Sequence, residues 1–164
     1  MNDTTTGASK RPTLLTVICI LSFIGGAIGL WGGYAGAFTD FPQKQVEDSK
    51  TQLQEMVDQV GTDHPMVDLL EQGVAMNEKT LEHAKPIGYS NLIVSLIGIA
   101  GVWMMWNLKK TGFWLYLLAS IGGLASGFYF LGTDSLFANI TTIGSTIITV
   151  VFIILFGVNL KHMS

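Results

Sequence analysis

The chain is poor in charge and almost free of cysteine. Asp, Glu, Lys and Arg make up 13% of its 164 residues, about half of the ~25% usual in soluble domains. Residues 12–39, 86–107, 111–133 and 135–160 contain no Asp, Glu, Lys, Arg or His. Cys19 is the only cysteine, so no disulfide can form within the chain. These absences exclude an ordinary soluble globule and a secreted fold that depends on disulfides.

The sequence also lacks the motifs that usually carry catalysis or bind cofactors. His64 and His83 have no His-Glu-x-x-His or Cys-x-x-Cys spacing around them, so no metal site is predicted. No phosphate loop and no Gly-x-Ser-x-Gly is present. Basic residues occur only singly or in pairs, which leaves no footprint for nucleic acid. We therefore expect neither an enzyme nor a bound cofactor.

The four uncharged stretches are each long enough to cross a bilayer. About 20 apolar residues in a helix span a hydrocarbon core roughly 30 Å thick, and the helix satisfies its own backbone hydrogen bonds there. We predict an all-α membrane protein: a four-transmembrane-helix bundle with an extracytoplasmic amphipathic helical hairpin between spans 1 and 2. The predicted segments are a cytoplasmic tail at 1–11, TM1 at 12–39, the hairpin at 40–85, TM2 at 86–108, TM3 at 111–132, TM4 at 135–160 and a cytoplasmic tail at 161–164.

The first span begins like a signal peptide. Lys10 and Arg11 precede it, and the small residues at 35–37 imitate a cleavage site. A signal peptide has an apolar region of about 7 to 15 residues, whereas the run at 14–38 is long enough for a full crossing. We therefore predict that this segment is retained as TM1.

The Lys and Arg residues outside the hairpin fall on one side of the four predicted spans: Lys10, Arg11, Lys109, Lys110 and Lys161. Short loops and tails rich in Lys and Arg stay in the cytoplasm. Both termini are therefore predicted to be cytoplasmic, with the segment at 40–85 on the opposite side. The chain is therefore predicted to cross its membrane several times.

Small residues recur at four-residue spacing in two of the spans. In lipid, helices associate where small side chains let the backbones approach closely. We interpret these rows as helix-packing contacts inside the bundle, and a contact between two copies remains the alternative. The predicted packing residues are Gly25, Gly29, Gly33 and Ala37 in TM1, and Ala119, Gly123 and Gly127 in TM3.

A stripe of hydroxyl side chains follows TM4: Thr141, Thr142, Ser145, Thr146 and Thr149. Such a stripe can line a polar path through a membrane. It can also pack, because hydroxyls in membrane helices bond back to their own helix or across to a neighbour. We favour packing, since no ionisable side chain is predicted at mid-bilayer, where proton and ion pathways usually have one.

The segment at 40–85 reads as two amphipathic helices. Asp40 is predicted to cap the first helix and Gly61 to end it, while Asp63 and Pro65 open the second. Ten acidic residues face four lysines, a net charge of −6, which disfavours adsorption to anionic lipid.

Two paired helices make only a small core by themselves, so something else should cover part of their apolar stripes. We expect the cover to be another membrane or extracytoplasmic protein, or a second copy of the chain. The predicted partner-binding residues are Val46, Leu53, Val60, Met66, Leu70 and Leu81. The spans themselves should contact membrane lipids.

The stretch Lys10-Arg11-Pro12-Thr13-Leu14-Leu15-Thr16-Val17-Ile18-Cys19, continuing to Gly26, resembles the start of small four-span bacterial inner-membrane proteins of unassigned function. The resemblance covers one span and implies no activity, but it implies a location in a bacterial inner (plasma) membrane. From the residues themselves we expect a non-enzymatic accessory or scaffold subunit of a membrane protein complex. The alternative is a small-solute transporter or an oligomeric channel lined by the Thr/Ser face of TM4.

Overall fold

The computed structural model describes the backbone of residues 12–131 and 136–163, and no strand occurs in these ranges. The described helices are α1 Thr13–Phe38, α2 Phe41–Val60, α3 Pro65–Glu82, α4 Ala84–Trp106, α5 Thr111–Leu131, α6 Leu136–Asn159 and a final 3₁₀ turn Leu160–His162. The predicted tail at 1–11, the predicted boundary between TM3 and TM4 at 132–135, and Ser164 lie outside the described residues.

Four of the helices are long and apolar enough to cross a membrane. The qualifying segments are Thr13–Phe38, Ala84–Trp106, Thr111–Phe130 and Asn139–Asn159, which belong to α1, α4, α5 and α6. Large apolar side chains such as Ile28, Trp31 and Ile148 are exposed along them, as expected of side chains that face lipid. The all-helical prediction with four spans is confirmed at this level, and the chain has the architecture of a multi-pass membrane protein.

The joint between α1 and α2 is built by Thr39. Its backbone is extended, and its N–H and its hydroxyl both donate to the carbonyl of Ala35, at 3.2 and 2.6 Å. The same hydroxyl accepts the N–H of Phe41 at 3.2 Å. Asp40 stands at the N-cap position, as predicted, but its side chain makes no capping bond. A hydroxyl one residue earlier therefore serves the end of one helix and the start of the next.

The joint between α2 and α3 matches the predicted end at Gly61 and the predicted start at Pro65, but His64 and not Asp63 caps α3. Gly61 has a φ of +81° and its N–H donates to the carbonyl of Val57 at 2.9 Å, a conformation that favours glycine. The N-cap of α3 is His64, whose Nδ1 accepts the N–H of Met66 at 3.2 Å. Pro65 follows as the first helical residue, where no N–H is needed.

A single residue, His83, separates α3 from α4. Its N–H donates to Lys79 at 3.2 Å, and its carbonyl accepts the N–H of Ile87 at 3.0 Å. The helix therefore begins two residues before the predicted TM2 at 86–108. Pro86 falls in the first turn, where its missing N–H removes no helical hydrogen bond. The chain passes from α3 into α4 with one bend and no loop.

The central helix of the bundle is α4. It packs on α1 and on α5, and these are the two most extensive contacts between helices in the described residues. By comparison, α6 contacts α5 and α1 over a small part of its length. The helix α2 pairs mainly with α3, and α3 also contacts α5 and α6. The hairpin of α2 and α3 therefore rests on the bundle and does not stand free of it.

The main buried cluster lies at the end of the bundle that carries Lys109, Lys110 and Lys161, which we call the lysine end; α2 and α3 lie at the opposite end, the hairpin end. The cluster contains Leu15, Ile18, Cys19, Val102, Met105, Phe113, Phe156 and Met163. The rings of Phe156 and Tyr116 meet edge to face at 4.9 Å, a favoured aromatic geometry. This cluster ties α6 to the other spans.

Candidate functional site

Small residues of α1 lie directly against α4. A Cβ added to Gly33 would lie 2.9 Å from the backbone nitrogen of Leu92, and one added to Gly29 would collide with the hydroxyl of Ser95. Gly26 is similarly close to α4. At Gly33 the added atom would meet the backbone of α4, so the close approach there requires glycine, whereas at Gly26 and Gly29 it would meet side-chain atoms of Ile99 and Ser95.

Gly25 lies outside this contact. A Cβ there would have no atom within 4 Å, whereas Ala37 is buried and its nitrogen lies 2.6 Å from a Cβ placed on Gly88. Of the four residues that the sequence spacing grouped on α1, the structure places Gly29, Gly33 and Ala37 against α4. Gly25 faces a cavity instead.

Among the small residues of α5, some contact α4 and one does not. Ala119 is buried, and its Cβ lies 3.7 Å from a Cβ placed on Gly98 of α4. A Cβ on Gly123 would be 3.4 Å from Val94 Cγ1, while one on Gly127 would have no atom within 4 Å. The contact with α4 therefore involves Ala119 and Gly123, and Gly127 lies beyond it.

The tightest contacts involve glycines that the sequence reasoning did not single out. A Cβ on Gly88 would lie 2.8 Å from the carbonyl of Gly33, and one on Gly101 would lie 2.8 Å from the carbonyl of Gly112. Here backbone meets backbone. Single glycines without a four-residue repeat give no signal of their own, and pairing them requires knowing which helices are neighbours.

Two hydroxyls of the stripe on α6 bond to their own helix. Thr146 Oγ1 and Ser145 Oγ both donate to the carbonyl of Thr142, at 2.7 and 3.0 Å. Thr142 and Thr146 line a shallow cavity beside α5, Thr149 lines the interior of the bundle, and Thr141 is exposed. The five side chains therefore do not share one lumen within the described residues.

Between α4 and α6 the bundle is hollow. A cavity of about 230 Å³ lies between α1, α4 and α6, with Tyr116 of α5 at its side. A second cavity of about 290 Å³ lies between α4, α5 and α6, and both are lined by Gly98, Tyr116 and Thr149. Sequence reasoning missed this region, because Ser22 and Ser95 are isolated serines without any motif.

The first cavity contains a buried hydroxyl without a partner. Ser22 Oγ is inaccessible to solvent and makes no hydrogen bond in the described part of the chain. The hydroxyl of Tyr116 approaches Ser22 and Ser120, but Ser120 donates its own proton to the carbonyl of Tyr116 at 2.8 Å. A buried polar group without a partner is rare in native proteins and needs an explanation.

The α2–α3 hairpin buries only part of its apolar stripes. Among the predicted partner-binding residues, Val46 is buried and Leu53, Leu70 and Leu81 are half-buried. Val60 and Met66 are exposed at the tip, and Leu69 joins them. Two polar contacts fix the antiparallel pairing: Asn77 Nδ2 donates to Ser49 Oγ at 2.6 Å, and Lys50 Nζ lies 2.7 Å from Glu78 Oε1.

A wide cavity of about 630 Å³ lies where the hairpin joins the spans, lined by Asp40, Glu82 and Lys85 among others. Its charges are of both signs, and it opens to solvent. Within residues 12–131 and 136–163, no three His, Cys, Asp or Glu side chains come close enough to hold a metal ion.

Comparison with known proteins gives no match: no family model, no curated protein and no solved structure is similar to the chain. Function must therefore be argued from the chain's own geometry. Two features stand out: the exposed apolar tip of the hairpin, and the cavity inside the bundle.

Proposed function

We propose that the chain is a non-enzymatic accessory or scaffold subunit of a bacterial inner-membrane protein complex, and that its acidic hairpin recruits a protein partner outside the cytoplasm. The observation that supports this is the tip of the hairpin. There Val60, Met66 and Leu69 are 41 to 50% exposed on a segment that otherwise presents mainly charged and polar side chains.

The tip has the composition of a small protein-binding surface. Apolar side chains grouped on a soluble surface and surrounded by polar ones commonly mark protein contacts. The net charge of −6 between residues 40 and 85 disfavours the alternative that anionic lipid covers the tip. Because α3 also packs on α5 and α6, the bundle holds the hairpin and thereby positions its tip.

Partner binding by the tip can be tested with substitutions of exposed residues, which should not change the fold. A triple variant with Val60→Ser, Met66→Ser and Leu69→Ser should lose at least ~90% of co-purifying protein in mild detergent, with an unchanged unfolding temperature. The matched control is Phe41→Ser, an exposed apolar residue at the far end of α2, which should retain it. Equal recovery from the triple variant and the wild type would rule out the tip as the binding surface. Loss of a dimer instead would identify the partner as a second copy.

The proposal also requires that the hairpin faces away from the cytoplasm. Lys109, Lys110 and Lys161 lie at the opposite end of the bundle, which supports a cytoplasmic lysine end. In a Cys19→Ala background, single cysteines at the exposed positions Gln52 and Glu71 should react with an impermeant maleimide on intact spheroplasts. A cysteine at Lys161 should react only after lysis, and its labelling in sealed cells would reverse the topology.

A transporter or channel along α6 has less support. Two of the stripe hydroxyls are already bonded to the carbonyl of Thr142, and the charge-free spans offer no ionisable group for coupling. These two hydroxyls therefore serve the helix that carries them. Solute uptake by proteoliposomes, abolished by Thr149→Val, would instead favour transport.

A further inference from the structure

The cavity between α1, α4 and α6 is large enough for a small ring. Its volume is about 230 Å³, whereas an engineered apolar cavity of roughly 150 Å³ binds benzene. Gly25, Gly26 and Gly98 form part of its wall, and larger side chains there would fill the space. The remaining lining combines aliphatic and aromatic side chains with a few hydroxyls, the usual composition of a small-molecule site.

Exposed side chains of two spans line part of the cavity. Leu21 of α1 and Ile148 of α6 line it, and both are exposed apolar side chains on spans. Ser22 lies nine residues into α1, about 13 Å along the helix axis at 1.5 Å per residue, so it is within the hydrocarbon layer. A ligand that enters here comes sideways from the bilayer, and it must therefore be lipid-soluble.

The polar groups of the cavity favour a neutral ligand that accepts a hydrogen bond. Ser22 Oγ is buried and makes no hydrogen bond in the described chain, so its proton is available to an acceptor. None of the described residues that line the cavity is basic, which makes burial of an anion unfavourable. The ester carbonyls of ordinary lipids lie at the interfacial region, away from this depth. A carbonyl on a flat, lipid-soluble ring satisfies all of these conditions.

We propose that this cavity binds a neutral, lipid-soluble ketone of the isoprenoid quinone class, with one ring carbonyl accepting the proton of Ser22 and the tail lying in the bilayer. No redox step is involved in the proposal, which concerns binding alone. The ring lies among Gly25, Gly98 and Phe152, and Tyr116 offers a second hydroxyl beside the first. This site is independent of the hairpin tip, so either proposal can fail without the other.

The binding test uses the full chain in nanodiscs and tritiated decylubiquinone, with protein-free nanodiscs as the blank. We expect saturable binding of about one molecule per chain above the blank. Unlabelled decylubiquinone should compete, and decylbenzene, which has the same tail and no carbonyl, should not. Absence of saturable binding, or equal competition by decylbenzene, would overturn the proposal.

Two leucine substitutions locate the site. A Cβ at Gly25 or at Gly32 of α1 has no atom within 4 Å, so both positions accept a side chain without a clash. Only Gly25 lines the cavity. Gly25→Leu should reduce binding at least tenfold and Gly32→Leu should leave it unchanged, with unfolding temperatures equal in both. Equal binding by the two variants would place the ligand elsewhere and refute the assignment.

A third variant tests the hydrogen bond. Ser22→Ala removes the donor while keeping the cavity, and it should weaken binding of decylubiquinone about threefold to tenfold, the loss expected for one hydrogen bond. Ser22→Thr, which keeps a hydroxyl, should bind better than Ser22→Ala. If alanine binds as tightly as serine, the carbonyl does not contact Ser22 and the proposed recognition is wrong.

Discussion

On the two sides of the bundle the helices pack against their neighbours in different ways. On one side, α4 meets α1 and α5 through glycines, and at Gly88 and Gly101 backbone touches backbone. On the other side lies α6, where an added Cβ on Gly144 or Gly157 would have no atom within 4 Å. The contacts of α4 with α1 and α5 therefore depend on the absence of side chains, while α6 is held by a few large side chains at the lysine end and by contact with α3.

This difference follows from the solvent. In lipid the hydrophobic effect does not drive helices together, so contact depends on dispersion and on hydrogen bonds between helices. Glycine pairs give α4 a long, close contact with two neighbours. The helix α6 has no such pair in its described part. It is joined to the other spans through Phe156 and the residues around it, and α3 of the hairpin also contacts it. The cavities lie along α6 because nothing draws it close to α4.

The largest loss of stability should come from placing a side chain in the close contact between α4 and α5. Gly101→Leu places a side chain where even a Cβ would lie 2.8 Å from the carbonyl of Gly112. We expect a loss of about 3 kcal/mol or more in the free energy of unfolding, measured by reversible unfolding in mixed micelles. Gly157→Leu, on the open side, should change it by less than about 0.5 kcal/mol. Similar losses would show that the two sides are equally tight.

An intermediate loss of stability should come from removing a large side chain from the buried cluster at the lysine end, which contacts α6. Phe156 is fully buried, and its ring contacts Tyr116 at 4.9 Å. Phe156→Ala should cost about 3 kcal/mol in the free energy of unfolding, the low end of the range for buried Phe, because the ring of the unfolded wild type enters lipid and not water. Amide hydrogen exchange should increase throughout α6 and stay unchanged in α1 and α4. A uniform increase across all spans would mean that α6 is not a separate unit.

The smallest loss of stability should come from removing one hydrogen bond between α4 and α5. Ser90 Oγ of α4 donates to Ser126 Oγ of α5 at 2.9 Å. Ser90→Ala should cost about 0.6 kcal/mol, the average for such bonds in membrane helices. Ser145→Ala, which removes a bond within α6 only, should cost less. The reverse order would indicate that the hydroxyls of α6 have a role beyond their own helix.

The four spans could be predicted because their signal is local. Length without charge and the helical spacing of the hairpin are properties of adjacent residues. The cap of α2 differs from the prediction by one residue: the hydroxyl of Thr39, not the side chain of Asp40, accepts an N–H at the start of the helix. Capping depends on side-chain geometry that composition does not specify. Gly61 was predicted because ending a helix with a positive φ is itself a local requirement.

The site could not be predicted in the same way. Several rows of small residues run along α1, and the choice of Gly26, Gly29 and Gly33 over Gly25 depends on what α4 presents to them. Likewise, Ser22 becomes a candidate site residue only because it lies near Tyr116, which is almost a hundred positions away in the sequence. Contacts between distant segments carry no sequence pattern that a single chain reveals.

The bend at His83 has a mechanical consequence. Because α3 runs into α4 without a loop, the two form a lever whose long arm is the hairpin and whose pivot is one residue. A partner that tilts the tip would apply a torque to α4, and the glycine contacts would carry α1 and α5 with it. We expect α6 to follow α4 less closely than α1 and α5 do, because it shares no glycine contact with α4, so that the gap between α4 and α6 would widen or narrow with the angle of the arm.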